Sequence, residues 1–485
     1  MDIVINTSGF NQFLNLPPDE MFWVFMGNFG WLILAIIFLS GMTQVYLFWL
    51  RRQWEKEHQN VLLAIDIPKG NEQSPKAMEN MFTYIAGAHG TINFFEKWFE
   101  GKFQKSFSFE IVSLEGYTQF LIHTPSEFRN LVESAVYSQY PDAEISEVDD
   151  YVKAVPPRIP DEEYDLWGTE FIQANPSPYP IKCYQEFEHQ MGPSETQFKD
   201  PMASLMDLCG SLRQGEYFWY QIIIIPTGFS WGKESDKEID KILGRKEKTR
   251  PDLIMKGVEV LGDASEILYP IWTDIEPGAA KEEKAKTMME LTPGEKRKVE
   301  GIQLKTSKLG FEAKIRAVYI AKKEVMNKGK VANGLVGYMK QFATLDLNNL
   351  KPDVDITFTR TVYFFRESRL LTKKRRILNA YIKRSDNRGR RPGLFNIEEL
   401  ATLWHFPVEA NVKAAMIQKA PGRRADAPAS LPVAAEKRTE LPDIFTESSP
   451  PTAGQSDIAK RSSQAETIED LTEKKVVPPA NLPFI

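Results

Sequence analysis

Thirty consecutive residues, Met21 to Leu50, carry no charged side chain, and Arg51 and Arg52 follow at once. From Phe29 the run reads FGWLILAIIFLSGMTQVYLFWL. About 20 helical residues cross a hydrocarbon core of roughly 30 Å, so this stretch predicts a transmembrane helix over 21–50. Whatever the other residues do, they then do beside a bilayer. Asp2, Asp19 and Glu20 are the charges before the run, whereas Arg51, Arg52 and Lys56 follow it. Cytoplasmic flanks of membrane spans are rich in Lys and Arg, which predicts a short N-terminus (1–20) outside and the bulk of the chain in the cytoplasm. Trp31, Tyr46 and Trp49 sit near the ends, where amphipathic rings prefer the headgroup zone. A cleaved signal peptide would need a basic leading region, a shorter apolar run and a small-residue cleavage site, and the sequence has none of these. Ser40, Thr43 and Gln44 make one polar notch, which either bonds to a neighbouring helix or is tolerated without one.

The 485 residues allow two or three domains. The net charge of −6 shows no global bias toward nucleic acid, but it hides a local one: between Arg360 and Arg424 there are 16 Lys or Arg against 5 Asp or Glu. Cys183 and Cys209 lie far apart and read as free thiols of a reducing compartment. Two thiols cannot make a zinc site alone, and His58, His89, His123, His189 and His405 are scattered without ligand spacing. No metal and no cofactor is expected.

Beyond the span the hydrophobic period alternates between that of strands and that of helices. Val61–Pro68 reads as a buried strand, Ser74–Gly90 as a helix with Pro in its first turn, Ser106–Gly116 and Tyr117–Pro125 as a hairpin, Ser126–Pro141 as an amphipathic helix and Ala143–Tyr151 as a strand. The order βαββαβ is that of a ferredoxin-like unit, placed at 51–155. A Pro-rich linker (156–180) follows. The order then recurs over 181–365: strand Ile181–His189, helix Pro201–Leu212, strands Glu216–Gly228 and Gly310–Ala321, helix Val331–Ala343 and strand Asp353–Phe365. A charged, helical insertion at about 233–300 expands this second unit. A basic helical segment (366–420) and a Pro/Ala/Ser-rich tail (421–485) close the chain; the tail is too polar to bury a core and reads as disordered. Its last residues, PPANLPFI, suit docking on a partner. The fold class is α+β.

The basic segment is the main candidate site. Lys373, Lys374, Arg375, Arg376, Lys383, Arg384, Arg388, Arg390 and Arg391 form three clusters that suit a polyanion. DNA phosphates, anionic lipid headgroups and the acidic parts of the same chain all fit such charges. Glu399, Trp404 and His405, in a short capped helix over Asn396–Pro407, are a second, partner-facing candidate, set against the simpler reading of a helix that closes the second unit. Gly228-Phe229-Ser230-Trp231-Gly232 is a literal G-x-S-x-G with His405 downstream, yet Phe229 and Trp231 would crowd a nucleophile elbow and the surrounding strands are not an alternating parallel set. No G-x-x-x-x-G-K-[ST] occurs, so no ATP-binding P-loop is expected, and no catalytic residue is assigned.

The strings IDIPKGNEQSPKAMENMF, FSFEIVSLEGYTQFLIHTP, FRNLVESAVYSQYPDAEISEVDDY, NIEELATLWHFP and PPANLPF resemble the N-terminal, non-motor region of membrane-tethered proteins of candidate-phyla bacteria. In many of those proteins this uncharacterised domain precedes a HerA/FtsK-like ATPase of the type IV secretion or conjugation kind. The resemblance implies a non-enzymatic scaffold or docking subunit in the bacterial inner membrane, working with a separately encoded P-loop ATPase, with DNA, lipid and further copies of itself as other partners. The alternative is a structural inner-membrane protein whose basic face binds anionic lipid without any nucleic-acid role.

Overall fold

The computed structural model describes residues 17–68, 71, 73–156, 158–187, 200–228, 231–245, 290–408 and 423–424. The chain divides into units of residues 1–425 and 426–485, and the second lies outside the described residues. So do most of the segment read as an insertion and nearly all of the segment read as a tail.

Helix α1 spans Pro18–Glu57, with Pro in its first turn. Its part from Gly30 to Glu57 is long and apolar enough to cross a membrane, and none of the most apolar window is buried. Ile36, Ile37, Phe38 and Leu39, successive residues set about 100° apart around the helix, all stand more than half exposed, so apolar groups point outward around it rather than along one stripe. Only His58 and Gln59 separate α1 from strand β1 (Asn60–Asp66).

Among the described residues ten strands form one antiparallel sheet. After β1 come β2 (Phe107–Leu114), β3 (Tyr117–Pro125), β4 (Glu144–Glu147), β5 (Tyr164–Gln173), β6 (Glu216–Pro226), β7 (Gly310–Lys322), β8 (Leu350–Pro352), β9 (Gly393–Asn396) and β10 (Arg423–Arg424). Their order is β10-β4-β1-β3-β2-β6-β7-β5-β8, with β9 on the first residues of β7. Helices α2 (Pro75–Ala86) and α3 (Arg129–Gln139) follow β1 and β3. Helices α4 (Met202–Gly210) and α7 (Lys328–Lys340) follow β5 and β7. Between β6 and β7 lie α5 (Gly232–Ile242) and α6 (Pro293–Thr306), the latter opened by a Thr292–Glu295 capping box. Each half thus runs strand–helix–strand–strand–helix–strand. The halves meet through their second strands, β2 and β6, antiparallel from Phe107↔Ile224 to Leu114↔Tyr217. Antiparallel pairing of equivalent strands relates the halves by an approximate two-fold axis through that seam.

Both faces of the sheet are covered, which is why the central strands read as near-continuous apolar runs instead of strict alternation. One face carries Phe109, Phe120, Ile122, Ile222 and Ile315 beneath α2, α3, α4 and α7. The spacing of Met78, Met81, Phe82 and Ile85 gives α2 a single buried stripe toward it. The other face carries Leu62, Val112, Leu166, Trp219 and Ile320. Its cover is Ile377, Leu378 and Tyr381 of α8 (Arg366–Ile382). Full burial of each such side chain contributes about 1.5–3 kcal/mol, so the two-faced core dominates the stability of the sheet.

Three expectations need correction. The first strand of the second half is β5, inside the stretch read as linker; the prolines at 156, 157 and 160, and at 176, 178 and 180, bracket it without entering it. Residues 181–183 are irregular and Tyr184–Phe187 is a single 3₁₀ turn, so no strand runs there; Ile181 is buried and donates its N–H to Glu399 Oε1 (2.9 Å). Nor does a strand cover Asp353–Phe365. β8 stops at Pro352, and the alternating threonines serve another purpose: Thr359 and Thr357 hydroxyls accept the N–H groups of Gly168 and Glu170 on the edge of β5, both at 3.1 Å. Asp353 Oδ2 holds that turn through Thr357 N (3.1 Å). The residues that follow, Val362 to Phe365, project as an exposed apolar loop.

Candidate functional site

Four neighbouring strands each contribute one charged or amide residue to a single row on the α8 face, in register. Glu110 of β2 pairs with Gln221 of β6, Gln221 with Arg316 of β7, and Arg316 with Glu170 of β5. The result is a buried polar row straight across the seam between the halves, each member 1 % exposed or less. Burying a charge is costly unless a partner and hydrogen bonds replace water, and here every group is matched. Arg316 donates from Nε (2.9 Å) and Nη2 (2.7 Å) to Glu170, from Nη1 to Gln221 Oε1 (3.2 Å), and onward to the carbonyls of Ala380, Ser385 and Arg388. Gln221 donates to Glu110 Oε1 (2.9 Å). Glu110 also accepts from Ser108, Tyr151 and Arg384, the last through two nitrogens at 2.8 and 3.1 Å. Arg384 in turn bridges to Asp150.

The cover over the row is the turn after α8. Gly389 lies against the Glu170 carboxylate so closely that a Cβ would come within 2.3 Å of Oε2, and its φ of +90° suits glycine alone. The next backbone N–H, of Arg390, donates to that same oxygen (2.8 Å). Lys314 Nζ donates to the carbonyls of Asp386 (2.5 Å) and Arg388 (2.7 Å) from below.

The electrostatics follow from this packing. Burial by itself would raise the Glu110 carboxyl, but the Arg384 guanidinium more than reverses it and holds the group below its usual range. Burial drives the Lys314 ammonium down to about 8. Burial, helped by Arg384, also lowers the half-buried His123 to about 4 from an ordinary 6.5. Between those two values the unfolded chain binds the proton that folded His123 refuses. Its contribution to stability is therefore complete above pH 6.5 and lost as the pH falls through 4. His123→Gln is expected to flatten part of the fall in melting temperature over that window, and an unaltered pH profile would exclude the effect.

The basic residues expected to meet a polyanion divide into two groups. Lys374 is buried in an ion pair with Asp165, Arg384 pairs with Glu110 of the row, and Arg390 pairs with Asp353 and Asp355 at 3.0 Å each. Lys373 donates to the carbonyls of Asp355, Phe358 and Arg360. These four answer acceptors of their own chain: Lys373 and Lys374 on α8, and Arg384 and Arg390 in the turn after it that closes over the row. Arg375, Arg376, Lys383, Arg388 and Arg391 remain exposed.

The expected partner-facing trio is interior instead. Helix α9 (Ile397–Leu403) is buried along its length, and Glu399, Trp404 and His405 are each 0 % exposed. Glu399 closes a capping box with Asn396 and pairs with the buried Lys305 (3.0 Å). Trp404 packs edge-on against Phe109 and Phe120 of the first half, while the last residue of α9 accepts from Tyr338 of the second at Leu403 O (3.1 Å). His405 bonds Ala401 O and Asp200 Oδ1, both at 2.9 Å. Both of its ring nitrogens are thus engaged, and Ser230 of the G-x-S-x-G string lies outside the described residues. Cys183 and Cys209 are free thiols, and burial pushes Cys209 up to about 12. Among the described residues no cluster of three or more metal-ligating side chains occurs.

A family model described as a domain of unknown function, DUF8128, matches residues 49–415. The chain belongs to that family. The DUF8128 region takes in nine of the ten strands, the polar row and α9, and it starts where the apolar helix meets its first charges. No curated protein matches the chain. The polar row was not anticipated from the sequence, though it left a trace there: a single charged or amide residue inside each of FSFEIVSL, FWYQIIII, IRAVYI and GTEFI.

Proposed function

We propose that this DUF8128 protein is a non-enzymatic scaffold, anchored in the bacterial inner membrane by one span with its sheet in the cytoplasm. It is built from two ferredoxin-like units and serves as a docking subunit for a separately encoded P-loop DNA-translocation ATPase. The observation that carries the scaffold reading is the join between α1 and the sheet. An apolar helix whose apolar window has no buried residue leads, through two residues, into a strand of a sheet locked across its centre. Such a link holds the sheet at a short, fixed distance from the bilayer. The strand order within each half supports the ferredoxin-like assignment. The non-enzymatic reading is supported by the polar row, where each charged group already answers a charge or a carbonyl of its own chain. The ATPase partner rests on the sequence resemblance.

Co-purification from native membranes in mild detergent, with partners identified by mass spectrometry, tests the docking role. A P-loop ATPase recovered near stoichiometry is the expected result; recovery of lipid and envelope proteins alone would exclude it and favour the purely structural alternative. The exposed basic residues give a second test. The double variant Arg375→Glu/Arg376→Glu is expected to weaken salt-dependent binding to duplex DNA or anionic vesicles several-fold, and unchanged binding to both would remove the polyanion role.

A further inference from the structure

We propose that the segment Ile92–Phe99 is a second membrane contact, with its aromatic side chains lying in the lipid headgroup zone beside the end of α1. This rests on the reading of α1 as the membrane span. The segment is a short turn with a π-helical close at Glu96–Glu100. Its spacing brings Phe94 against Trp98 (5.7 Å between ring centres) and stacks Phe95 on Phe99 (4.5 Å). Phe94, Phe95 and Phe99 are 72 %, 62 % and 57 % exposed, so the stacked rings cover one another but stay largely uncovered among the described residues. Large aromatic groups are seldom left together in water, and the exceptions mark contact surfaces.

The position of this turn names what it contacts. Gly101, directly after it, sits so close to α1 that a Cβ would fall within 2.7 Å of Leu50 C and 2.9 Å of Arg51 N, and it adopts φ +74°. Leu50 is the last residue of the uncharged run and Arg51 the first cation, so the turn is fastened to the helix at the level where the apolar core gives way to headgroups. Beyond it, Phe103 packs on Trp54 (5.0 Å) and Lys105 lies over the same indole (5.0 Å), fixing the segment a second time. The charges of the turn are compatible with that place. Lys102 pairs with Glu96 (2.8 Å) and Glu100 (3.1 Å), which lowers the cost of bringing the carboxylates toward lipid. Aromatic rings concentrate at this depth in membrane proteins.

The test uses the full chain in vesicles of phosphatidylcholine and phosphatidylglycerol, in a Cys183→Ser background, with a nitroxide on one introduced cysteine at a time. Leu39→Cys reports the middle of α1, Trp49→Cys its end, and Phe95→Cys the turn; Asn93→Cys repeats the turn measurement with all four rings intact. Collision with dissolved oxygen against collision with a water-soluble nickel chelate gives the depth. The expected result is a mid-bilayer reading at 39, and an oxygen-to-nickel ratio at 95 and 93 several-fold above that of a water-exposed label and close to that at 49. An aqueous reading at 95 and 93 with a lipid reading at 39 overturns this proposal and leaves the span standing. An aqueous reading at 39 overturns both.

Discussion

Arg316→Ala is expected to destabilise the folded sheet by about 3–5 kcal/mol, the usual cost of removing one partner from a buried charge pair. Glu170 would stay 1 % exposed with its charge uncompensated, Gln221 would lose the donor to its oxygen, and the carbonyls of Ala380, Ser385 and Arg388 would each lose one donor. The turn carrying Gly389 rests on these same atoms, so the damage should spread to the cover of the row. Urea midpoints of the detergent-solubilised protein measure the loss. Adding Glu170→Gln to Arg316→Ala should recover part of it, because the stranded charge is then gone. A double variant as unstable as the sum of the two single changes would show that the pair is not coupled.

Trp404→Ala is expected to cost a similar 3–5 kcal/mol, from lost burial plus the cavity left among Phe109, Phe120 and Phe406. The consequence should not stay local. Helix α9 touches both halves, through Trp404 on one side and through Leu403 O and Thr402 Oγ1 on the other. Limited proteolysis should therefore reveal new cleavage on either side of the seam, and Trp404→Phe should be far milder. A variant that resists protease like the native chain would rule out the wedge role of α9.

Much of this architecture is legible in the residues. The helices stand out by apolar spacing, and the β2–β3 hairpin by its alternation around Glu115-Gly116. Where the reading went astray, a local rule met a tertiary demand. β5 hides because Asp165, Gly168 and Glu170 break its apolar pattern, yet each has a specific role: Asp165 pairs with Lys374, Gly168 leaves room for Ile377 of α8, and Glu170 anchors the row. Asp353–Phe365 alternates as a strand does, but its hydroxyls satisfy β5 from the side. Charge runs mislead in the same way. Lys374, Arg384 and Arg390 are indistinguishable in sequence from Arg375 and Arg376; the side of α8 that packs on the sheet takes up Lys374, and the turn after α8 takes up Arg384 and Arg390. The partner-facing reading of Glu399, Trp404 and His405 missed that a capped helix can be a plug: its cap and its aromatic both serve the seam.

The place of α9 in the chain has a consequence for biogenesis. Its seat is built from Phe109 and Phe120, which a ribosome makes almost 300 residues before Trp404. At about 5–20 residues per second that interval is on the order of tens of seconds. For all of it, the nascent N-terminal half presents an open aromatic slot. Holding that slot shut until its plug emerges is a task for whatever attends the chain during synthesis, and a message cut short before codon 397 would yield a product that no later step could close.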